Sequence, residues 1–378
     1  MRAETVRLLD KYSNVRELSK QLDPTNIAIF TTMSRIGPRN LLDVSRETGI
    51  PFTTVYHRIA RIEAESNKVA MLIPRSSPLG MVRLVVLVAA KPGLEDIVLH
   101  ALKIPNYWRA VERCEGAFTH HSIHTVPIRF LKTFKEYLST MLAMNLIKSY
   151  RIIQTGDSLP IFPQFSSYES SSGKWTFSWD EWLQELKSTT PPSSAIRDPN
   201  QSTSTFDKTD LEIIACLEVN GRTTFTEIAE ETGLSPQTVK YHYDMKLKPS
   251  GVVDEFHFFV APYPVEMSTH HEFMLEFADS VAMNRFYSLA EKLFFVDQVS
   301  KVLRKNTLLV RTRMVESQVS NLFTFFSEMT NLGLLNSYSS VRLDMNSRTQ
   351  QTISYENFDE SEGWKWDVYE NLLQLNKL

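Results

Sequence analysis

Apolar residues follow two different periods along this chain. Ile27, Ile29, Phe30 and Met33, then Leu41, Leu42 and Val44, then Val55, Ile59 and Ile62 recur at helical spacing, which predicts three short helices. Gly49 falls just after the second group, where a glycine can take a positive φ and turn the chain sharply into the third helix. Helices this short are marginal alone and must pack on one another. The period then changes. Residues 81–90, MVRLVVLVAA, read as a buried strand, 93–103 as a helix, and 107–114 and 118–126 as strands around a turn at Glu115 and Gly116. Phe130, Leu131, Phe134, Tyr137, Leu138, Met141 and Leu142 form an apolar stripe that predicts an amphipathic helix over 129–144, and 149–154 reads as a closing strand. The order βαββαβ predicts a ferredoxin-like sandwich, two helices over one antiparallel sheet.

This succession occurs twice. An offset of 184 residues aligns 25–59 with 209–243, with identities at Thr25, Ile29, Gly37, Glu47, Thr48, Gly49, Thr54 and Val55. NLIKSY at 145–150 recurs as GLLNSY at 333–338, and Tyr168, Glu169, Trp179 and Asp180 recur as Tyr355, Glu356, Trp366 and Asp367. In the second copy the same reading gives strands at 256–261 and 272–277, a helix over 282–293, strands at 295–303 and 308–315, a helix over 319–332 and a strand at 338–343. Between the copies, 12 of the 18 residues in 188–205 are Ser, Thr or Pro, the composition of a flexible tether. The expected class is α+β, with two winged helix-turn-helix domains alternating with two ferredoxin-like βαββαβ sandwich domains. The expected divisions are an N-terminal helical extension (1–24), helix-turn-helix 1 (25–78), sandwich 1 with a Trp-rich extension (79–186), a linker (187–206), helix-turn-helix 2 (207–253) and sandwich 2 with its own Trp-rich extension (254–378).

Composition narrows the function classes. With 378 residues, 42% apolar and 22% charged, the chain reads as several globular domains, not a disordered or fibrous polymer. Cys114 and Cys216 lie far apart with no Cys-x-x-Cys neighbour, so neither a disulfide framework nor a cysteine zinc site is indicated, and a reducing, cytoplasmic setting is expected. The N-terminal residues are charged throughout, and the apolar stretch at 81–90 is interrupted by Arg83 and far short of the ~20 residues a span requires, so neither secretion nor a membrane is expected. A net charge of −3 argues against indiscriminate polyanion binding. The charge is uneven: residues 1–75 carry 12 Lys and Arg against 8 Asp and Glu, residues 207–253 carry 5 against 8. No P-loop, Gly-x-Ser-x-Gly, His-Glu-x-x-His or dinucleotide fingerprint occurs, and no cofactor or metal is expected.

LLDVSRETGIPFTTVYHRIARIE and FTEIAEETGLSPQTVKYHYDMKL resemble the DNA-binding half of the Lrp/AsnC family of prokaryotic transcription regulators, and the βαββαβ segments behind them resemble that family's sensor domain. The resemblance implies a regulator that binds double-stranded DNA. It implies dimerisation through the sensor sheets, here as a homo-oligomer or an intramolecular pseudo-dimer, and a small effector such as an amino acid. A recognition helix must offer side chains to the major groove while neighbouring cations hold phosphates. In the first copy Thr53, Thr54, Tyr56, His57, Arg58 and Arg61 are the expected readers, with Arg39, Arg46, Lys68 and Arg75 flanking. In the second, Gln237, Thr238, Lys240, Tyr241, His242 and Lys246 occupy the equivalent helix, His242 stands where the first copy has Arg58, and Glu227, Glu230 and Glu231 would repel phosphate, so weaker DNA contact is expected there.

Three other features of the sequence bear on this reading. His120, His121 and His124 invite a metal, but on one strand His120 and His124 would stand ~13 Å apart, too far to share an ion, so ordinary strand histidines are expected. Trp175, Trp179 and Trp182 are spaced for one helical face, and burial against the sensor sheet is the expected role. Siroheme decarboxylases resemble the same architecture and set an enzyme alternative, with Arg113, His120, His121 and Arg129 as the nearest candidates; a protein-binding adaptor is a third.

Overall fold

The computed structural model describes residues 8–9, 22–66, 68–188, 192–199, 205–263 and 267–378. A short strand, β1 (Leu8–Leu9), precedes the first three-helix unit, and the rest of the expected N-terminal helix at 1–24 lies almost entirely outside the described residues. α1 (Pro24–Ile36) starts where Asp23 Oδ1 accepts from the Asn26 amide at 2.8 Å and Pro24 occupies the first turn. α2 (Leu41–Thr48) ends at Gly49 in the left-handed region, and α3 (Phe52–Ser66) follows at once. Ile29, Phe30, Met33, Val44, Val55, Ile59 and Ile62 are buried where the three helices meet.

β2 (Ala70–Leu72) leads into the first sandwich: β3 (Met81–Ala90), α4 (Glu95–Ala101), β4 (Trp108–Glu115), β5 (His120–Pro127), α5 (Leu131–Ala143) and β6 (Ile147–Thr155). A short β7 (Leu159–Pro160), a hairpin of β8 (Tyr168–Glu169) and β9 (Lys174–Trp175), and α6 (Trp179–Lys187) complete the first half. The second three-helix unit is α7 (Lys208–Val219), α8 (Phe225–Thr232) and α9 (Pro236–His242), prolonged by α10 (Lys248–Ser250). Capping boxes open α7 and α8, and Ser235 caps α9. β10 (Phe256–Phe258), β11 (Ser268–Phe277), α11 (Ser280–Ala290), β12 (Val296–Lys301), β13 (Thr307–Val315), α12 (Glu316–Asn331) and β14 (Leu335–Gln351) form the second sandwich, followed by β15 (Phe358–Asp359), β16 (Gly363–Trp364) and α13 (Val368–Leu375).

The two sandwiches share one sheet, in the order β6-β3-β5-β4-β14-β11-β13-β12-β7. Each contributes four antiparallel strands in ferredoxin-like order, joined where β14 pairs with β4. The ends of the sheet also meet: β7 pairs with β12, and Thr155 bridges to Val302. The sheet therefore closes on itself and has an inside and an outside. Alternation along β3 shows both: Leu84, Val86 and Val88 pack with Phe134, Leu138 and Met141 of α5, whereas Val85 and Leu87 face inward with Ala110, Ile123, Leu309, Val341 and Leu343. Both faces being covered explains why β3 is apolar nearly throughout and buried at every position.

Expected and observed elements differ by a few residues at most ends, and two differences are larger. β14 runs 17 residues against the six expected, because its second half pairs with β4 and β1 beyond the ferredoxin unit. The interdomain tether is held in its middle: Ser194 N donates to Ser288 Oγ at 3.0 Å, Ile196 is buried with its amide on Asn284 Oδ1, and Asp198 pairs with Lys301 at 2.6 Å. Composition predicted a flexible tether; the described stretch 192–199 has no regular secondary structure but is held, and Ile196 is the anchor that composition understated.

Candidate nucleic-acid interface

The two three-helix units lie back to back. β2 pairs antiparallel with β10, with Leu72 opposite Phe256, and the contact continues through Phe259 N to Val69 O (2.9 Å) and Ile73 N to Glu255 O (2.8 Å). Arg39 donates to the Thr223 carbonyl at 2.8 Å and Arg222 to the Pro38 carbonyl at 2.6 Å, in both cases across 184 residues of sequence. The Arg39 guanidinium also lies 4.7 Å from the Phe225 ring centre and 5.1 Å from that of Tyr243. Burial lowers its pKa. Arg39, expected beside phosphate, is instead the bolt between the two units. Arg75 is likewise committed, to Asp254 and to Glu255 at 2.6 Å, and Lys68 lies over the Phe259 ring.

The third helices divide the predicted readers into two groups. Arg58 turns back onto the start of α1, donating to Asp23 and to Asn26 Oδ1 (2.9 Å). At the equivalent place His242 Nδ1 meets Asp210 at 2.7 Å, while Lys246 pairs with Asp207 and Asp210. These three side chains tie the third helix to the first in each unit and are turned away from the exposed face of the third helix. Asp207, Asp210 and His242 stand close enough to ligate a metal ion, but the Lys246 ammonium already supplies the cation on both carboxylates.

The other group points outward. Thr53, Tyr56, His57 and Arg61 are exposed on α3 and Thr54 is half-buried, with Tyr56 51% exposed and its ring edge-on to His57. On α9, Gln237, Lys240 and Tyr241 are exposed and Thr238 is half-buried, Tyr241 at 59%. Arg46 is exposed on α2, paired with Asp43 at 3.1 Å. Tyr56 and Tyr241, one position apart in the repeat, leave their rings largely in solvent, touching ring neighbours of their own helices: Phe52 and His57 for Tyr56, His242 for Tyr241. The geometry suits insertion of each helix into a groove, with the α2 cation beside it.

Sequence reasoning missed a second feature, a charged cluster inside the closed sheet. Glu112, fully buried, accepts from Arg348 at 2.7 and 2.8 Å and meets His121 Nδ1 at 2.7 Å; His121 Nε2 reaches Glu272 at 3.2 Å, and Arg311 donates to Glu272 at 2.7 and 3.1 Å. Burial pushes the Glu112 carboxyl up, but Arg348, His121 and Arg311 overcome it and hold it at about 2. For His121 burial acts downward, yet the carboxylates of Glu272 and Glu112 raise it. His120 and His124 face the other way, under the helices, where burial depresses both, to about 4 and about 3. The alternation of the strand separates the three histidines, and the one facing inward is the one with carboxylate partners. Arg113, on the same list of enzyme candidates, pairs with Asp96, and Arg129 donates to the Glu362 carbonyl.

The Trp-rich extensions cross over. Trp175 stacks on Phe294 at 4.5 Å, Trp179 and Trp182 pack on Phe295, and Trp179 Nε1 donates to Gln318, all in the second sandwich. Trp364 donates to the Leu79 carbonyl, and Trp366 stacks on Tyr107 and abuts Phe134, in the first. Packing is the role these residues have, against the opposite half's helical layer rather than a sheet, and Trp175 belongs to the β8–β9 hairpin rather than to the helix.

A family model described as winged helix-turn-helix DNA-binding matches residues 206–245. Two solved structures match over nearly the full length: the siroheme decarboxylase NirDL, at 11% identity with a TM-score of 0.55, covering 92% of this chain and 98% of that one, and the same protein in co-complex with an iron-uroporphyrin III analogue, at 10% and 0.52, covering 93% and 97%. At these identities the likeness establishes the α+β architecture of helix-turn-helix units on a large antiparallel sheet. E. coli AsnC matches 36% of this chain and 91% of its own length, at 15% identity and a TM-score of 0.27. No curated protein sequence matches the chain. Among the described residues no helix is long and apolar enough to cross a membrane.

Proposed function

We propose that this chain is a sequence-specific DNA-binding regulator of Lrp/AsnC type, an internally duplicated pseudo-dimer that presents two non-identical recognition helices to adjacent half-sites. The observation that carries the reading is the pair of outward faces, Thr53, Tyr56, His57 and Arg61 on α3 and Gln237, Lys240 and Tyr241 on α9, on two units bolted together through β2 and β10. Pseudo-two-fold geometry is supported by contacts that exchange with themselves: Arg39 on Thr223 and Arg222 on Pro38 each join a residue to its own counterpart, as happens only near a two-fold axis. The bridge from Thr155 to Val302 repeats the Leu343 to Cys114 pairing once the halves are exchanged. Because the two faces differ, the half-sites differ, and the acidic surroundings of α9 make it the weaker reader. The test is a DNA titration of Tyr56→Ala/Arg61→Ala and of Lys240→Ala/Tyr241→Ala. Each lost base contact is expected to weaken binding by about 1–3 kcal/mol, the first pair by more than the second. Unchanged affinity in both would remove the helices from the interface.

A second reading is an enzyme acting on a carboxylated tetrapyrrole, the substrate class named for the full-length structural matches. The arginines inside the closed sheet favour it, since they would meet carboxylates. Purified protein that carries a visible absorption band would support that reading, and colourless protein that takes up no tetrapyrrole would exclude it.

A further inference from the structure

Where the sheet interior meets the second helix-turn-helix unit there is a cavity of about 110 Å³. Its wall is drawn from every layer: Met71 and Leu79 from the connection after the first unit, Glu218 from α7, His257 from β10, and Arg83, Arg109, Arg311, Arg313 and Arg348 from the strands. Four of these arginines have carboxylates: Arg109 pairs with Glu218, Arg311 with Glu272, Arg348 with Glu112, and Arg313 stands 3.8 Å from Asp297. Arg83 does not. It is 6% exposed, its hydrogen bond goes to the Thr155 hydroxyl at 3.1 Å, and no carboxylate among the described residues lies within ion-pair distance.

The acid in the wall nearest to serving it is Asp157, and Asp157 is occupied by neutral donors: Ser76 N and Oγ at 2.7 Å each, and Ser77 Oγ at 2.8 Å. A guanidinium kept out of water with no carboxylate at bonding distance is costly, and a ligand carboxylate placed against it would lower that cost. Burial, with Arg311 and Arg348 nearby, brings Arg83 down to about 10 against the more distant pull of Glu272 and Asp157, still cationic at neutral pH. His257 is neutral there, since burial and the facing arginines Arg313, Arg348 and Arg311 hold it at about 4 against the pull of Asp297. Among the described residues its ring has no hydrogen-bond partner, and it can donate to a ligand oxygen.

We propose that this cavity binds a small organic carboxylate, with Arg83 as the counter-ion, His257 as a neutral donor and the apolar wall of Met71, Ile123 and Met345 around the carbon skeleton. Size sets the class: an enclosed cavity of about 150 Å³ holds a benzene, so a space of about 110 Å³ suits a small mono- or dicarboxylate. Binding as such does not depend on the DNA-reading proposal. Its consequence does, because the wall joins the sheet to β10 and α7, and an occupant would fix the helix-turn-helix pair relative to the sheet.

The experiment is calorimetric titration of the full chain with acetate, malonate, succinate, glutarate, inorganic phosphate and uroporphyrin III, repeated with Arg83→Met, His257→Phe and, as a control outside the cavity, Lys132→Ala on the exposed face of α5. One of the small carboxylates is expected to bind once per chain, at least tenfold more weakly to Arg83→Met and more weakly to His257→Phe, with Lys132→Ala unchanged. Arg83→Met also guards against trivial unfolding: replacing a buried charge that has no ion pair by an apolar group of similar length is expected to raise the melting temperature of the ligand-free protein. No small carboxylate binding to folded wild type, binding by phosphate or uroporphyrin III alone, or affinity indifferent to Arg83→Met would each overturn the proposal. DNA binding by the same samples reports separately on the regulatory reading.

Discussion

Individual side chains carry most of what separates expectation from structure. A basic residue near a recognition helix is an expected DNA contact, yet Arg39, Arg58, His242 and Lys246 are consumed by Thr223, Asp23, Asp210 and Asp207. Sequence supplies the basic side chain and its helix but not the acceptor that folding brings beside it, an acid 32 to 39 residues away or a carbonyl 184 residues away. The interior network shows the same limit: His121 between Glu112 and Glu272 depends on three strands meeting. Replacing Arg348 by Met leaves Glu112 buried with its main counter-charge gone, so the chain should lose about 3–5 kcal/mol in urea unfolding, while the double variant with Glu112→Gln recovers much of it. The histidines set a pH profile. His120, His124 and His257 are held below their ordinary value of 6.5, so the folded state binds fewer protons than the unfolded one, and stability present above pH 6.5 is lost as pH falls toward 4. His121 is raised and acts oppositely: its contribution is full below pH 6.5 and fades as pH climbs through its folded value. Denaturant midpoints should therefore peak near neutrality, and His124→Phe should flatten the acid limb; an unchanged acid limb would deny His124 that role.

The elements themselves were largely legible, because their signals are local. The helical spacing of Val55, Ile59 and Ile62, the unbroken apolar run of β3 and the stripe on α5 each determine their own period. Gly49 and Gly233 were readable as turns, and both adopt a positive φ, 69° and 74°, with nothing within 4 Å of an added Cβ. Gly233→Ala should thus cost only the left-handed backbone, about 1–2 kcal/mol, and Gly49→Ala the same, as read from melting temperatures. A much larger loss at one of them would reveal a packing role that the open surroundings deny. What local signals could not give is the length of β14 and the anchoring of the tether, both set by partners distant in sequence.

For the molecule as a whole, closure of one sheet by strands from both halves and the exchange of Trp-rich tails bind the halves into a single body. Each tail covers the other half's helices, so neither half completes its own packing. Removing residues 354–378 takes Trp364 and Trp366 from the Tyr107 and Phe134 surface, and hydrogen exchange should accelerate first in β4 and α5 of the opposite half. Acceleration confined to the second sandwich would contradict the crossover. The most direct measurement is a footprint and native-mass titration on DNA from upstream of the chain's own gene, at several salt concentrations. A single chain should protect two unlike half-sites about one helical turn apart, ~34 Å, with affinity falling as salt rises. Protection of paired sites only by two chains, or no protection by folded protein at low salt, would contradict an intramolecular two-headed reader.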